Sequence, residues 1–236
     1  QKRRFRTTTI SFLETRNWTN ATCQEFFVAM NGGGKALKPG ELINAERDNI
    51  LTQKLLEWSN ITPCPKGPYG KYGDTFDNKA KEGGLDLTKG KKERYFNYEI
   101  MGLIFHMVLT GEFPVRPGDT SLNELIKWRN KEICDIFIRT CEKVELLMDA
   151  YKNVLQNVPR LAKRVPPPTH LRLMFFMFKS GIYCTPLDNT HFARIELILN
   201  VVLNKDNPEY GHIITWGTVD SMKIYELYNQ IFIGAS

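Results

Sequence analysis

The chain has 236 residues, 42% hydrophobic and 25% charged, enough to bury a substantial core in one large or two small domains. No apolar run approaches the roughly 18 residues that a membrane span needs, and LMFFMF at 173–178 is core-sized. The net charge of +6 and the pI near 9.0 suit phosphate-bearing partners, although basic clusters of this kind are also ordinary in solvated loops.

Residues 5–14, FRTTTISFLE, are rich in β-branched side chains and alternate, which predicts a strand. Asn20 can cap a helix running to Met30, with Cys23, Phe26, Phe27 and Met30 at helical spacing. Asn31 and the glycines at 32–34 then break the helix and leave backbone amides uncovered. Pro39 suits the first turn of a second helix, predicted to run to Ser59 with Leu42, Ile50, Leu51, Leu55 and Trp58 on its buried side. Exposed amides, a helix N-terminus and Lys35 can together hold an anion; the same residues also serve as a plain helix stop. Glu41, at the head of the second helix, interacts favourably with its dipole in either case.

Residues 60–93 change character, with Pro63, Pro65, Pro68 and six glycines between Gly67 and Gly90. A connection this long is uncommon unless it has a role, and Tyr69, Tyr72 and Phe76 suit an arm packed on another subunit. After it the pattern is helical. Phe96 to Leu109 is strongly apolar and expected at the centre of a bundle. Ser121, with Glu124 three residues on, is expected to cap a long helix from Leu122 to Val158. Its predicted buried positions are Leu125, Trp128, Ile133, Phe137, Val144, Leu147, Tyr151 and Leu155. VPPP at 165–168 stops the chain from continuing as helix, and two more helices are expected over Thr169–Phe178 and Thr190–Leu203, with a last one from Asp220. The elements describe an α+β, mostly α chain: a small α/β part at 1–59, an irregular connection at 60–93 and a helical bundle at 94–236.

Five scattered cysteines make no disulfide framework and no CxxC pair, which points to a reducing, intracellular compartment, cytoplasm or nucleus. The sequons at Asn17, Asn20 and Asn60 do not outweigh that. Cys134 and Cys141, seven apart, would share a helix face as buried thiols. His106 sits among apolar neighbours and reads as a core histidine, and no histidine cluster has metal-ligand spacing, so no metal is expected. In LDNTH at 187–191, Asn189 or Thr190 is expected to cap the next helix. Nucleophile-elbow, Walker A and dinucleotide motifs are missing.

The order Phe27, Asn31, Gly33, Gly34, Leu37, Glu41, Leu42 resembles the second motif of the ParB-like NTPase family that supplies the GmrS half of GmrSD-type modification-dependent restriction systems. Arg94 and Glu99 resemble that family's Arg and Glu at the head of a buried helix. The resemblance spans Phe27 to about Phe105, with weaker helical similarity beyond. It implies that residues 1–59 are the terminal part of a ParB/sulfiredoxin-like α/β domain, with Phe27, Asn31, Gly33, Gly34 and Glu41 lining or supporting a nucleotide pocket. Lys35 joins them on the anion argument, and Arg94 and Glu99 would brace the bundle against that half.

The family's first motif, Asp-Gly-Gln-Gln-Arg, carries its nucleotide chemistry and is absent from these residues. The expectation is a chain that begins inside the family's domain and does not run an NTPase cycle alone, a nucleoside triphosphate being bound only with the missing N-terminal half. That half, or another subunit contacted through residues 60–93, is an expected partner in an oligomer. DNA is another, through Arg3, Arg4, Arg6, Lys91 and Lys92. Nothing supplies the histidine and asparagine constellation of the family's HNH nuclease domain. The alternative is a non-catalytic structural or assembly protein on the same fold, such as a viral particle component.

Overall fold

The computed structural model describes residues 18–19, 22–23, 26, 49–59, 96–113, 134–162, 165, 167–204, 206 and 221–234. The chain divides into two compact units, Gln1–Ala36 and Leu37–Ser236.

In the first unit, Thr22, Cys23 and Phe26 are helical. The Thr19 hydroxyl accepts from the Thr22 N–H at 3.2 Å, and the Thr19 carbonyl accepts from the Cys23 N–H at 3.0 Å. That is N-cap geometry for Thr19; Asn20, the expected cap, lies outside the described residues. Trp18, just before the cap, meets Phe26 edge-on with ring centroids 5.0 Å apart.

The second unit is built from six described α-helices: α1 (Ile50–Ser59), α2 (Phe96–Thr110), α3 (Asp135–Asn157), α4 (Pro167–Ser180), α5 (Asn189–Val202) and α6 (Ser221–Gly234). Two 3-10 turns, Pro159–Ala162 and Ile182–Cys184, follow α3 and α4. Helix accounts for 84% of the described residues and none is in a strand, so this part of the chain is mostly α. The strand expected at 5–14, on which the α/β character of 1–59 depends, lies outside the described residues.

α2 is the core of the unit. Every residue from Ile100 to Val108 is buried, His106 among them, as a strongly apolar helix requires. α1 packs on one side of it through Leu51, Leu55 and Trp58, and α3 packs on another. α4 contacts α2, α3 and α6, and α5 closes on α6. Phe176 of α4 sits among Tyr225, Tyr228 and Phe232 of α6 at centroid distances of 6.2, 6.0 and 5.3 Å.

Several boundaries differ from the sequence reading for local reasons. The helix expected from Pro39 to Ser59 does not pass through Asn49, which is buried with its side-chain oxygen accepting from the Leu51 N–H at 2.9 Å. An asparagine used this way is an N-cap, so α1 starts at Ile50. The helix expected from Leu122 to Val158 is not continuous either. Cys134 is extended (φ −121°, ψ 161°), and α3 starts after it with Asp135 in the first turn, where its charge meets the dipole favourably. Cys134 is therefore exposed while Cys141 is buried, and the two do not form the shared thiol face expected. Leu125, Trp128 and Ile133 lie outside the described residues.

α3 ends at Val158, extended ahead of Pro159, because a residue before proline is pushed out of the helical region. A later proline starts the next helix: α4 begins at Pro167, where a missing N–H leaves no intrahelical bond unmade. Gly111 (φ +72°) and Gly181 (φ +76°) then turn the chain out of α2 and α4 in the left-handed conformation that glycine adopts without strain.

Candidate functional site

The residues that the resemblance assigns to the nucleotide pocket, Phe27, Asn31, Gly33, Gly34 and Glu41, lie outside the described residues, as do Lys35 of the anion argument, Arg94, Arg3, Arg4, Arg6, Lys91, Lys92 and the segment 60–93. Glu99 lies in the first turn of α2, heading the buried stretch from Ile100 to Val108. The polar groups that the described residues do bring together lie at three helix junctions.

At the α1–α3 junction, the buried indole of Trp58 donates from Nε1 to Glu145 Oε1 at 3.0 Å. Lys54 Nζ reaches the same carboxylate oxygen at 2.9 Å and Glu57 at 3.0 Å, and lies 5.3 Å from the Trp58 ring centroid. Burial works against the Lys54 charge, yet its hydrogen bonds to Glu145 and Glu57 prevail and hold its pKa above the ordinary value. Cys141, one turn before Glu145 on α3, is pushed up to about 12, first by burial. It is an inert thiol.

The second cluster joins α3, α4 and α6 and is buried throughout. The Tyr151 hydroxyl of α3 meets Nδ1 of His170 on α4 at 2.5 Å. A neutral ring with its proton on the other nitrogen lets Nδ1 accept from the Tyr151 hydroxyl. Burial pushes His170 down to about 3 and pushes Tyr151 well up, so neither ionises near neutrality. Arg172, 1% exposed, places its guanidinium 6.0 Å from the Phe113 ring centroid. Burial raises the Tyr228 phenol, and the Arg172 charge partly offsets that rise.

The third junction surrounds α5. Asp188 Oδ1 accepts from the His191 N–H at 3.0 Å and lies 2.7 Å from His191 Nδ1. The shorter approach requires the proton on Nδ1, donated to the carboxylate, and a nitrogen so protonated has no lone pair to accept the Asp188 N–H 3.4 Å away. The cap is thus Asp188, not Asn189 or Thr190, because only its carboxylate reaches the open amide of the first turn. The Asp-x-x-His spacing was the available signal for it. His191 and Arg194 stand 6.2 and 5.3 Å from the Phe232 ring centroid, holding α6 against α5. Arg160 ties the 3-10 turn to α5, its N–H on Glu196 at 3.1 Å and its Nη1 on Asn200 at 2.6 Å.

His106 is buried in α2. Among the described residues no group of three or more His, Cys, Asp or Glu could hold a metal ion, and no helix is long and apolar enough to cross a membrane. Cys23, Cys134, Cys141 and Cys184 are free thiols. What these clusters do chemically is hold helices in register. Comparison with protein families, with curated proteins and with solved structures finds no significant match to this chain.

Proposed function

We propose that this chain is the C-terminal portion of a GmrS-like nucleotide-binding protein with a DNA-linked regulatory or defence role, inactive as an NTPase by itself. The observation that carries the reading is the seven-position pattern from Phe27 to Leu42, followed by a helix that Glu99 heads and that is buried from Ile100 to Val108. In this reading Phe27, Asn31, Gly33, Gly34, Lys35 and Glu41 line or support the nucleotide pocket, and Arg94 and Glu99 brace the bundle against that half. The helical unit receives the nucleotide-dependent signal, and the basic groups around Arg4 and Lys91 meet DNA phosphates.

The test uses the protein as its gene encodes it, with any residues placed ahead of Gln1. Each nucleoside triphosphate with Mg²⁺ is expected to raise the melting temperature of that protein, and Asn31→Ala to abolish the rise. Affinity for duplex DNA is expected to fall steeply between about 50 and 200 mM salt. Absence of both responses overturns the reading.

A second reading, a non-catalytic structural or assembly protein, is favoured by the use made of the polar clusters. Glu145, His170 and Glu196 each join one helix or turn to another. That reading gains if the encoded protein ignores nucleotides yet assembles into particles or filaments.

A further inference from the structure

We propose that His191 and Arg194 of α5, standing over Phe232 of α6, form a binding site for a terminal phosphate group that carries a proton. The Arg194 guanidinium lies 5.3 Å from the Phe232 ring centroid, with its Nε buried and without an acceptor. Among the described residues no carboxylate or carbonyl accepts from this guanidinium, and its terminal nitrogens stay open to solvent. By contrast, Arg160 commits Nη1 to Asn200, and Lys54 is shared by two glutamates. An arginine stacked on a ring but not neutralised is a pre-positioned cation. The flat contact restricts its rotamers before a ligand arrives, so less entropy is lost on binding.

His191 supplies the second group. It lies one turn before Arg194 on the same side of α5, 6.2 Å from the same ring. Asp188 takes the Nδ1 proton at 2.7 Å, which fixes the tautomer and leaves Nε2 with a lone pair. The His191 side chain is 28% exposed, so a small solute can reach that nitrogen. One acceptor therefore stands beside the donor fork of a guanidinium.

Hydrogenphosphate matches this pair. Its charged oxygens accept from the Arg194 terminal nitrogens, and its P–OH donates to His191 Nε2. Sulfate and the phosphodiesters of nucleic acid have no proton to give near neutrality and leave Nε2 unmet. The carboxylates nearby do not occupy the site. Asp188 faces Nδ1, on the other edge of the ring, and also accepts from the His191 N–H at 3.0 Å. Glu196 accepts from the Arg160 N–H instead.

The experiment is a titration of the intact chain, nitrogen-labelled on arginine and histidine, with inorganic phosphate near neutral pH at constant ionic strength. The Arg194 Nε–H and His191 ring signals, identified by their contacts to the Phe232 ring, are expected to shift together and saturate. The Kd is expected to be on the order of millimolar, and sulfate to bind at least about tenfold more weakly. Arg194→Gln is expected to abolish saturation of the His191 signal. Saturation by ethyl phosphate as well makes this a site for the phosphate of a larger ligand; saturation by inorganic phosphate alone makes it a site for the free ion. Unsaturated shifts in the native protein, or equal binding of sulfate, overturn the site whether or not Arg194→Gln folds. Saturation by decathymidylate with phosphate silent overturns it too, by making the patch a nucleic-acid contact.

Discussion

Trp58 Nε1 donates to Glu145 Oε1 at 3.0 Å, joining α1 to α3 across 87 residues of chain. Trp58 is fully buried, so its indole N–H has no access to water and depends on that carboxylate. Glu145→Ala is expected to cost about 1–3 kcal/mol by stranding the donor, and Glu145→Gln, which keeps an acceptor, clearly less. Lys54→Met should cost under about 1 kcal/mol, since its pairs are partly solvated. Denaturant midpoints of the single variants and of Trp58→Phe/Glu145→Ala decide it. Additive costs in the double variant would show that the contact is energetically idle.

Phe176 shares its surroundings with Tyr225, Tyr228 and Phe232, and is the contact through which α6 is held on α4. Phe176→Ala is expected to destabilise by about 3–5 kcal/mol, the transfer loss plus a cavity that flanking rings fill only partly. Ile136→Ser, at a side chain 62% exposed on α3, should stay within about 0.5 kcal/mol. Thermal and chemical denaturation of the two variants, compared side by side, tests the assignment of inside and outside on this unit.

Thiol reactivity should divide the cysteines sharply. Cys23, Cys134 and Cys184 are exposed and are expected to react with an aromatic disulfide reagent in the native state. Cys141, buried and pushed up to about 12, should react only as the protein unfolds. Peptide mapping by mass spectrometry after timed labelling gives the order. Early labelling of Cys141 would contradict the α1–α3 packing that covers it.

Asp188 is held below the ordinary carboxyl range, first by the His191 backbone N–H and then by its side chain. Its folded value is depressed, so the cap is fully present above the ordinary carboxyl pKa and is lost as pH falls through the lowered one. Carboxyl carbon chemical shifts followed from pH 7 downward should place Asp188 below the other exposed aspartates. Asp188→Ala is expected to speed amide exchange in the first turn of α5, while Asp188→Asn, which keeps a side-chain acceptor, should not.

Apolar periodicity located the helices and their faces well. Phe137, Val144, Leu147, Tyr151 and Leu155 are buried on α3, and Leu51, Leu55 and Trp58 on α1, because a 3.6-residue repeat records which side meets the core. Boundaries were less legible. Asn49, Cys134 and Asp188 mark helix starts that apolar spacing alone does not distinguish from helix interior or from the next polar residue.

Mostly helical character, the burial of α2 and the absence of metal-ligand spacing were thus properties of the chain's local pattern, and so was the Phe27–Leu42 motif on which the nucleotide reading rests. Tertiary packing alone chose the partners of the polar groups. Glu145 looks like any exposed helical carboxylate until α1 brings Trp58 and Lys54 to it, and His170 like a helix-start histidine until α3 brings Tyr151. Periodicity is a property of neighbours three and four residues apart. A hydrogen bond between residues 87 or 19 apart depends on how whole helices dock, and so does the desolvation that keeps His170 neutral.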